Sequence, residues 1–277
     1  MISEKQFDAG GVVLNLVEGQ PSGVPLVLLH DLGANWAAHQ AMLPALTLGW
    51  HVCALDLRGH GKSGRTPEHY RVLDYAQDVI AFIRQYLRAP AAVYGHGFGG
   101  LVAIAVAGQA TEAVHGLILA DPPLFYRRQR ITDTLWGEPL TRAYQSLAAA
   151  PSTDELARRL SPDHLAGESS GLRARAERLR RVDPDALRAV LEHTHMNGLA
   201  LGPLLARVSC PTLIIQGDPR YDAVLDEDDA AFARWHLRQF SRVKLEHVGH
   251  NLHADAPDTV IQLLETFSRE VTGLGVL

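Results

Sequence analysis

"AVYGHGFGGLVAIAV", residues 92–106, has three parts. An apolar run fits a strand buried on both faces, a glycine-dense turn follows, and the last part fits a helix with no polar face. Gly95, Gly99 and Gly100 permit a sharp strand-to-helix turn with close backbone packing. Such a turn presents its central side chain at the carboxyl end of a sheet, where open α/β sheets bind ligands. Here the central residue is Gly97, which has no side chain.

The same alternation extends in both directions. "VPLVLLH" (24–30), "HVCALD" (51–56), "HGLILAD" (115–121), "CPTLIIQGD" (210–218) and "RVKLEHV" (242–248) read as strands, with "GVVLNLVEG" (11–19) as an edge strand ahead of them. Trp36, Gln40, Leu43 and Leu46 lie at helical spacing, as do Tyr75, Val79, Phe82 and Tyr86, and Val260, Leu264, Phe267 and Val271. Strands alternating with helices predict an α/β fold, a mostly parallel twisted sheet flanked by helices.

The alternation stops between about 122 and 205. Ser152 and Glu155 form a capping-box pattern ahead of Leu156 and Leu160. Leu172, Ala176 and Leu179 make an apolar stripe, and Asp183-Pro184 starts another helix. This predicts a helical cap over the strand ends, residues 122–205, with a core domain from 1–121 and 206–277. The cap holds 12 arginines against 10 acidic residues, so "RARAERLRR" (173–181) reads as a solvated helix face, not an anion site.

Composition excludes several classes. With 277 residues, 47% of them hydrophobic, the chain can bury a sizeable core. A net charge of -5 lacks the basic surplus of a nucleic-acid binder. No apolar run reaches the ~18 residues of a membrane span, and MISEKQFDAG lacks a signal-peptide layout. The expectation is a cytoplasmic protein with a small-molecule ligand and neither nucleic acid nor membrane as partner. Oligomeric state is not readable. Cys53 and Cys210 read as buried free thiols.

Four pieces fall at strand ends in order: "LLHDLGANW" (28–36), "DLRGHGKSG" (56–64), "GHGFGG" (95–100) and "VGHNLHADAP" (248–257). Together they resemble the α/β-hydrolase family. The turn resembles its nucleophile elbow, and Asp56 to Ser63 resembles a frequent family signature. The resemblance implies an eight-stranded sheet with the cap inserted after the sixth strand. It also implies His250 as catalytic histidine and an oxyanion hole made by the N–H groups of Leu32 and Phe98. Asp31 stands where glycine is commoner. The acid that orients His250 is Asp121 or, alternatively, Asp222. His30, Asp31, His96, Phe125, Trp136 and Met196 are the expected pocket residues.

No cofactor is implied, because "GHGFGG" lacks dinucleotide-binding spacing. No metal is expected either, since His193, His195, His250 and His253 fall in two separate segments. Gly97 leaves three readings. The first is a hydrolase of small, mainly apolar esters or other carbonyl compounds, inactivated by loss of its serine. The second is an enzyme using His250 as general base without a nucleophile, and the third is a ligand-binding protein without catalysis.

Overall fold

The computed structural model describes residues 2–150, 152–160 and 169–271. Eight strands, β1 (Ser3–Asp8), β2 (Val13–Glu18), β3 (Val24–Leu29), β4 (Trp50–Leu55), β5 (Ala91–His96), β6 (Val114–Ala120), β7 (Thr212–Gln216) and β8 (Phe240–Lys244), form one sheet in the order β1-β2-β4-β3-β5-β6-β7-β8. The β1–β2 and β2–β4 pairs are antiparallel and the rest parallel. The near-continuous apolar runs are explained by burial on both faces. Val27 and Leu29 enter one core cluster, and Leu26 and Leu28 the other.

Helices cover both faces. They are α1 (Leu43–Leu46), α2 (Val72–Ala81), α3 (Phe98–Gln109), α4 (Gly137–Ala149), α5 (Thr153–Leu160), α6 (Ser169–Leu179), α7 (Pro184–Leu191), α8 (Leu201–Arg207), α9 (Glu227–His236), α10 (Leu252–Asp255) and α11 (Pro257–Val271). α3 is buried on every side from Phe98 to Gly108, as its uniformly apolar sequence requires.

Two expectations change. The edge strand is β1, and β2 lies inside it. β1 carries little apolar signal beyond Phe7, which packs on Phe82 and Tyr86 at centroid distances of 5.5 and 5.8 Å. The pattern from Trp36 to Leu46 is not one helix but a 3-10 turn, Trp36–His39, and the single turn of α1. Pro44 has no N–H to donate back to a preceding turn, so the helix can only begin there.

The cap lies between β6 and β7, after the sixth strand. In it α4, α5, α6 and α7 pack on one another, whereas α8 packs against α3 of the core, so residue 205 falls inside a helix of the core layer. The cap is tied down at Asp183, the α7 N-cap. Its N–H donates to the Gly59 carbonyl at 2.7 Å, and Tyr70 Oη donates to its Oδ2 at 2.7 Å.

Candidate active site

The turn after β5 has the expected shape. Gly97 has φ 52° and ψ -121° and caps the start of α3. A positive φ disfavours a side chain on backbone grounds alone. Space disfavours it more. A Cβ built on Gly97 would fall well inside van der Waals contact with Oδ1 and Cγ of Asp31, and 3.0 Å from His250 Nε2. The place of the absent side chain is therefore filled by a carboxylate that enters from the loop after β3.

That carboxylate is held on both oxygens. The Phe98 N–H donates to Asp31 Oδ1 at 2.6 Å, and His250 Nε2 lies 3.2 Å from Oδ2. On the far side of the ring, His250 Nδ1 is 2.7 Å from Asp121 Oδ2. Asp121 is fully buried, follows β6 with φ 46°, and also accepts the N–H groups of Val224 and Leu225 at 2.8 and 3.1 Å. Asp222 sits in a left-handed turn at φ 67°, and it is Asp121, not Asp222, that contacts His250.

A carboxylate accepts on each side of the ring, so both ring nitrogens are placed to donate and the imidazolium is the favoured form. Burial alone would lower the His250 pKa, but the hydrogen bonds to Asp121 and Asp31 outweigh it and push it up to about 10. For Asp31, burial would raise the pKa, but His250 and the Phe98 N–H hold it well below the usual carboxylate range. At neutral pH the centre is an imidazolium bracketed by two carboxyl groups.

Buried histidines brace the Asp31 loop. His30 Nδ1 donates to the Asp31 carbonyl at 2.7 Å, and His30 Nε2 accepts the Leu57 N–H at 3.0 Å. His60 Nε2 accepts the Gly33 N–H at 3.2 Å. Burial depresses both imidazoles, His30 to about 4 and His60 to about 3, and keeps them neutral in these roles. The Asp56–Ser63 signature does related work. Asp56 accepts the N–H groups of Trp36 and Lys62, at 2.8 and 2.9 Å, and Arg58 forms a bidentate pair with Asp78.

A cavity of about 230 Å³ opens above the centre. Asp31, Phe98 and His250 form its floor, while Phe125, Ile131, Trp136 and Leu140 are among its apolar walls. Leu32 and Tyr126 also line it. Three expected pocket residues lie outside that lining. His30 braces the loop below, His96 points under the turn with Nε2 donating to the His250 carbonyl at 2.7 Å, and Met196 borders a separate groove beside Arg127 and Phe232.

Among the described residues two clusters bring three potential metal ligands within 4.8 Å of one another. In Asp31–His96–His250 the two rings lie 4.6 Å apart and only 34° from parallel. Both His250 ring nitrogens are taken by Asp121 and Asp31, and His96 Nε2 by the His250 carbonyl, so the cluster does not fit a metal. In Glu18–His51–Cys53 both carboxylate oxygens are engaged, by His51 on one and by Lys5 and Tyr86 on the other. Burial pushes the Cys53 thiol up, away from the thiolate a metal needs.

A family model described as "Alpha/beta hydrolase family" matches residues 26–263. The chain is 29% identical over 258 residues to pimeloyl-[acyl-carrier protein] methyl ester esterase of Nitrosomonas europaea, a match spanning 90% of this chain and 97% of that one. It is 36% identical over 119 residues to the dihydrolipoyllysine-residue acetyltransferase component of the acetoin cleaving system of Pseudomonas putida. That match covers 42% of this chain and only 31% of that protein's length. Among solved structures, E-2-(acetamidomethylene)succinate hydrolase superposes with a TM-score of 0.75 over 96% of this chain and 99% of that one, at 19% identity. This last is a likeness of fold alone. No helix among the described residues is long and apolar enough to cross a membrane.

Proposed function

The chain belongs to the alpha/beta hydrolase family, and from that premise we propose that it hydrolyses small, mainly apolar molecules with the Asp31 carboxylate in the role of the absent elbow side chain. The observation that carries this reading is the position of Asp31. It fills the space a Gly97 side chain would need, with one oxygen on the Phe98 N–H and the other facing His250 Nε2.

Asp31 Oδ2 attacks the electrophilic carbon, and the bond to the leaving group breaks. The leaving group takes the proton from His250 Nε2. Esterification removes the charge of Asp31, which had helped to hold His250 protonated, so the imidazole now serves as base. It takes a proton from water, whose oxygen adds to Asp31 Cγ. The oxyanion forms on Oδ1, already at the Phe98 N–H. Collapse releases the product as an alcohol, reprotonated by His250, and the new Asp31 carboxyl returns its proton to the imidazole. The sum is R–X plus water giving R–OH plus HX, with the starting centre restored.

The Phe98 donor thus stabilises charge on Asp31 itself in the second step, not on a substrate carbonyl in the first. That allocation favours an alkyl carbon bearing a leaving group over the ester or other carbonyl centre suggested by sequence. One observation favours a second reading. The esterase relative of Nitrosomonas europaea matches over 97% of its length, and an ester would need the donor that Asp31 occupies. Asp31 would then be a plug in a silenced esterase.

Single turnover of 1-bromohexane in ¹⁸O-water separates the two. Covalent attack is expected to place label in the Asp31 peptide before it appears in hexanol, and His250→Gln is expected to accumulate an alkylated Asp31. Turnover with unlabelled Asp31 overturns the covalent reading. So does inertness toward the bromide together with esterase activity once Asp31 is removed and Gly97 is restored to serine.

A further inference from the structure

The arginines of the run "RARAERLRR" are exposed or half-exposed, and one of them, Arg175, also lines the cavity. On α6, Arg173 pairs with Asp154 at 2.6 Å and with Glu177 at 3.3 Å, and just past its end Arg180 donates to the Ala150 carbonyl at 3.2 Å. Arg175 has no ion-pair or hydrogen-bond partner among the described residues. It lines the cavity, one helical turn from Leu179, which lines it too. Its pKa is lowered, by packing around the guanidinium first and by Arg178 second, although the residue as a whole is exposed.

The rest of the cavity gives this cation meaning. The other charged groups of the lining are Asp31 and His250, which are engaged with each other on the floor. Everything between floor and cap is apolar or aromatic, apart from Tyr126. A volume of about 230 Å³ suits roughly nine non-hydrogen atoms, scaled from the ~150 Å³ cavity that holds benzene. A guanidinium offers a planar fork matched to a carboxylate. One cation, with the Asp31 carboxylate on the floor of the same cavity, suits a singly charged group better than a phosphate dianion.

We propose that Arg175 is the anion-recognition residue of the cavity. Its substrate is then a small amphipathic carboxylate, whose acid group pairs with Arg175 while its other end reaches Asp31. The substrate class rests on the reading of this cavity as the site of Asp31 chemistry, but its test needs no turnover.

Heptanoate, heptanamide and pentyl phosphate are titrated calorimetrically into the unaltered protein, Arg175→Gln and Arg175→Lys. Heptanoate is expected to bind roughly tenfold or more tighter than heptanamide. Arg175→Gln is expected to abolish that preference by weakening heptanoate far more than heptanamide, and Arg175→Lys to keep part of it. Equal binding of acid and amide by the unaltered protein, or a preference that survives Arg175→Gln, overturns the proposal. Tighter binding of pentyl phosphate than heptanoate overturns the carboxylate assignment. None of these ligands carries a leaving group, so failure here leaves the Asp31 reaction standing, and an unlabelled Asp31 leaves this result standing.

Discussion

The floor and the roof of the cavity are built on opposite plans. The floor is made of strand ends locked by short polar contacts: Asp31 on Phe98 and His250, His250 on Asp121, and His30 and His60 on the loop backbone. The roof is made of helices whose apolar faces close over the site, with one arginine of α6, Arg175, in the lining. The floor tolerates little change because each donor has one acceptor at one distance. The roof can change its side chains, and so its ligand, without disturbing the chemistry below. The two plans predict large and coupled effects from floor substitutions, and small, separable ones at the joint between floor and roof.

The largest effect is expected where Asp31 and Gly97 compete for one space. Gly97→Ser alone is expected to be destabilised and inert, because its Cβ collides with Asp31. Asp31→Gly alone loses the attacking carboxylate. The double variant, Asp31→Gly with Gly97→Ser, places a hydroxyl beside His250 Nε2 under a vacant Phe98 N–H. It is expected to hydrolyse p-nitrophenyl acetate at least ~100-fold faster than either single variant, a gain on the scale of one restored oxyanion donor or nucleophile. Esterase activity from Gly97→Ser alone would show that the two positions are independent, and the floor less rigid than described.

That pairing also marks where the sequence was readable. The strand runs and the turn at 95–100 were legible because each depends on local rules, two-faced burial and a tight turn, whereas His250 and Asp121 came from the family resemblance, with Asp222 as the alternative acid. Asp31 was visible as a departure from glycine, and Gly97 as a departure from a side chain. Their contact was not, because it joins segments 67 residues apart, at Asp31 and Phe98. The available signal was the coincidence itself, a side chain lost at one strand end and a carboxylate gained at the next. Arg175 was hidden differently. Helical spacing shows which residues share a face, but not which face meets a cavity. Pro44 could have split the supposed helix at 36–46, and β1 was missed because an exposed edge needs few apolar residues.

A middling effect is expected from pH. His250 has a folded pKa of about 10, above the ~6.5 of an unfolded imidazole. Its contribution to stability is therefore complete below pH ~6.5 and is lost as pH rises through about 10. Asp31 is shifted down, so its contribution is present above ~3.9 and lost as pH falls through its folded value. Both describe one shared ion pair, worth on the order of 2–3 kcal/mol, with the cavity mouth screening part of it. Thermal denaturation is expected to show a plateau between roughly pH 4 and 6.5 and a decline toward 10. In His250→Gln the decline should flatten, and an undiminished decline would assign it to other groups. Turnover should follow the same ceiling, because His250 begins as an acid. A rate that rises through pH ~7 would instead mark a neutral imidazole acting first as base.

The smallest effect tests the joint between the two plans. Tyr70→Phe removes two hydrogen bonds, the one the phenol donates to Asp183 Oδ2 and the one it accepts from the Thr66 N–H, and leaves the ring packed. A bond to a carboxylate contributes about 1.5–3 kcal/mol when buried. Asp183 keeps its own cap contact to the Asp185 N–H and its backbone bond to Gly59, so a loss near 1 kcal/mol is expected. In a chain of this size that is a fall in Tm of about 2–4 °C. Because the joint holds the roof and not the floor, single-turnover labelling of Asp31 should be unchanged while affinity for heptanoate falls a few-fold. A comparable loss in the labelling step would mean that the cap sets the geometry of the ion pair, and that floor and roof form one mechanical unit.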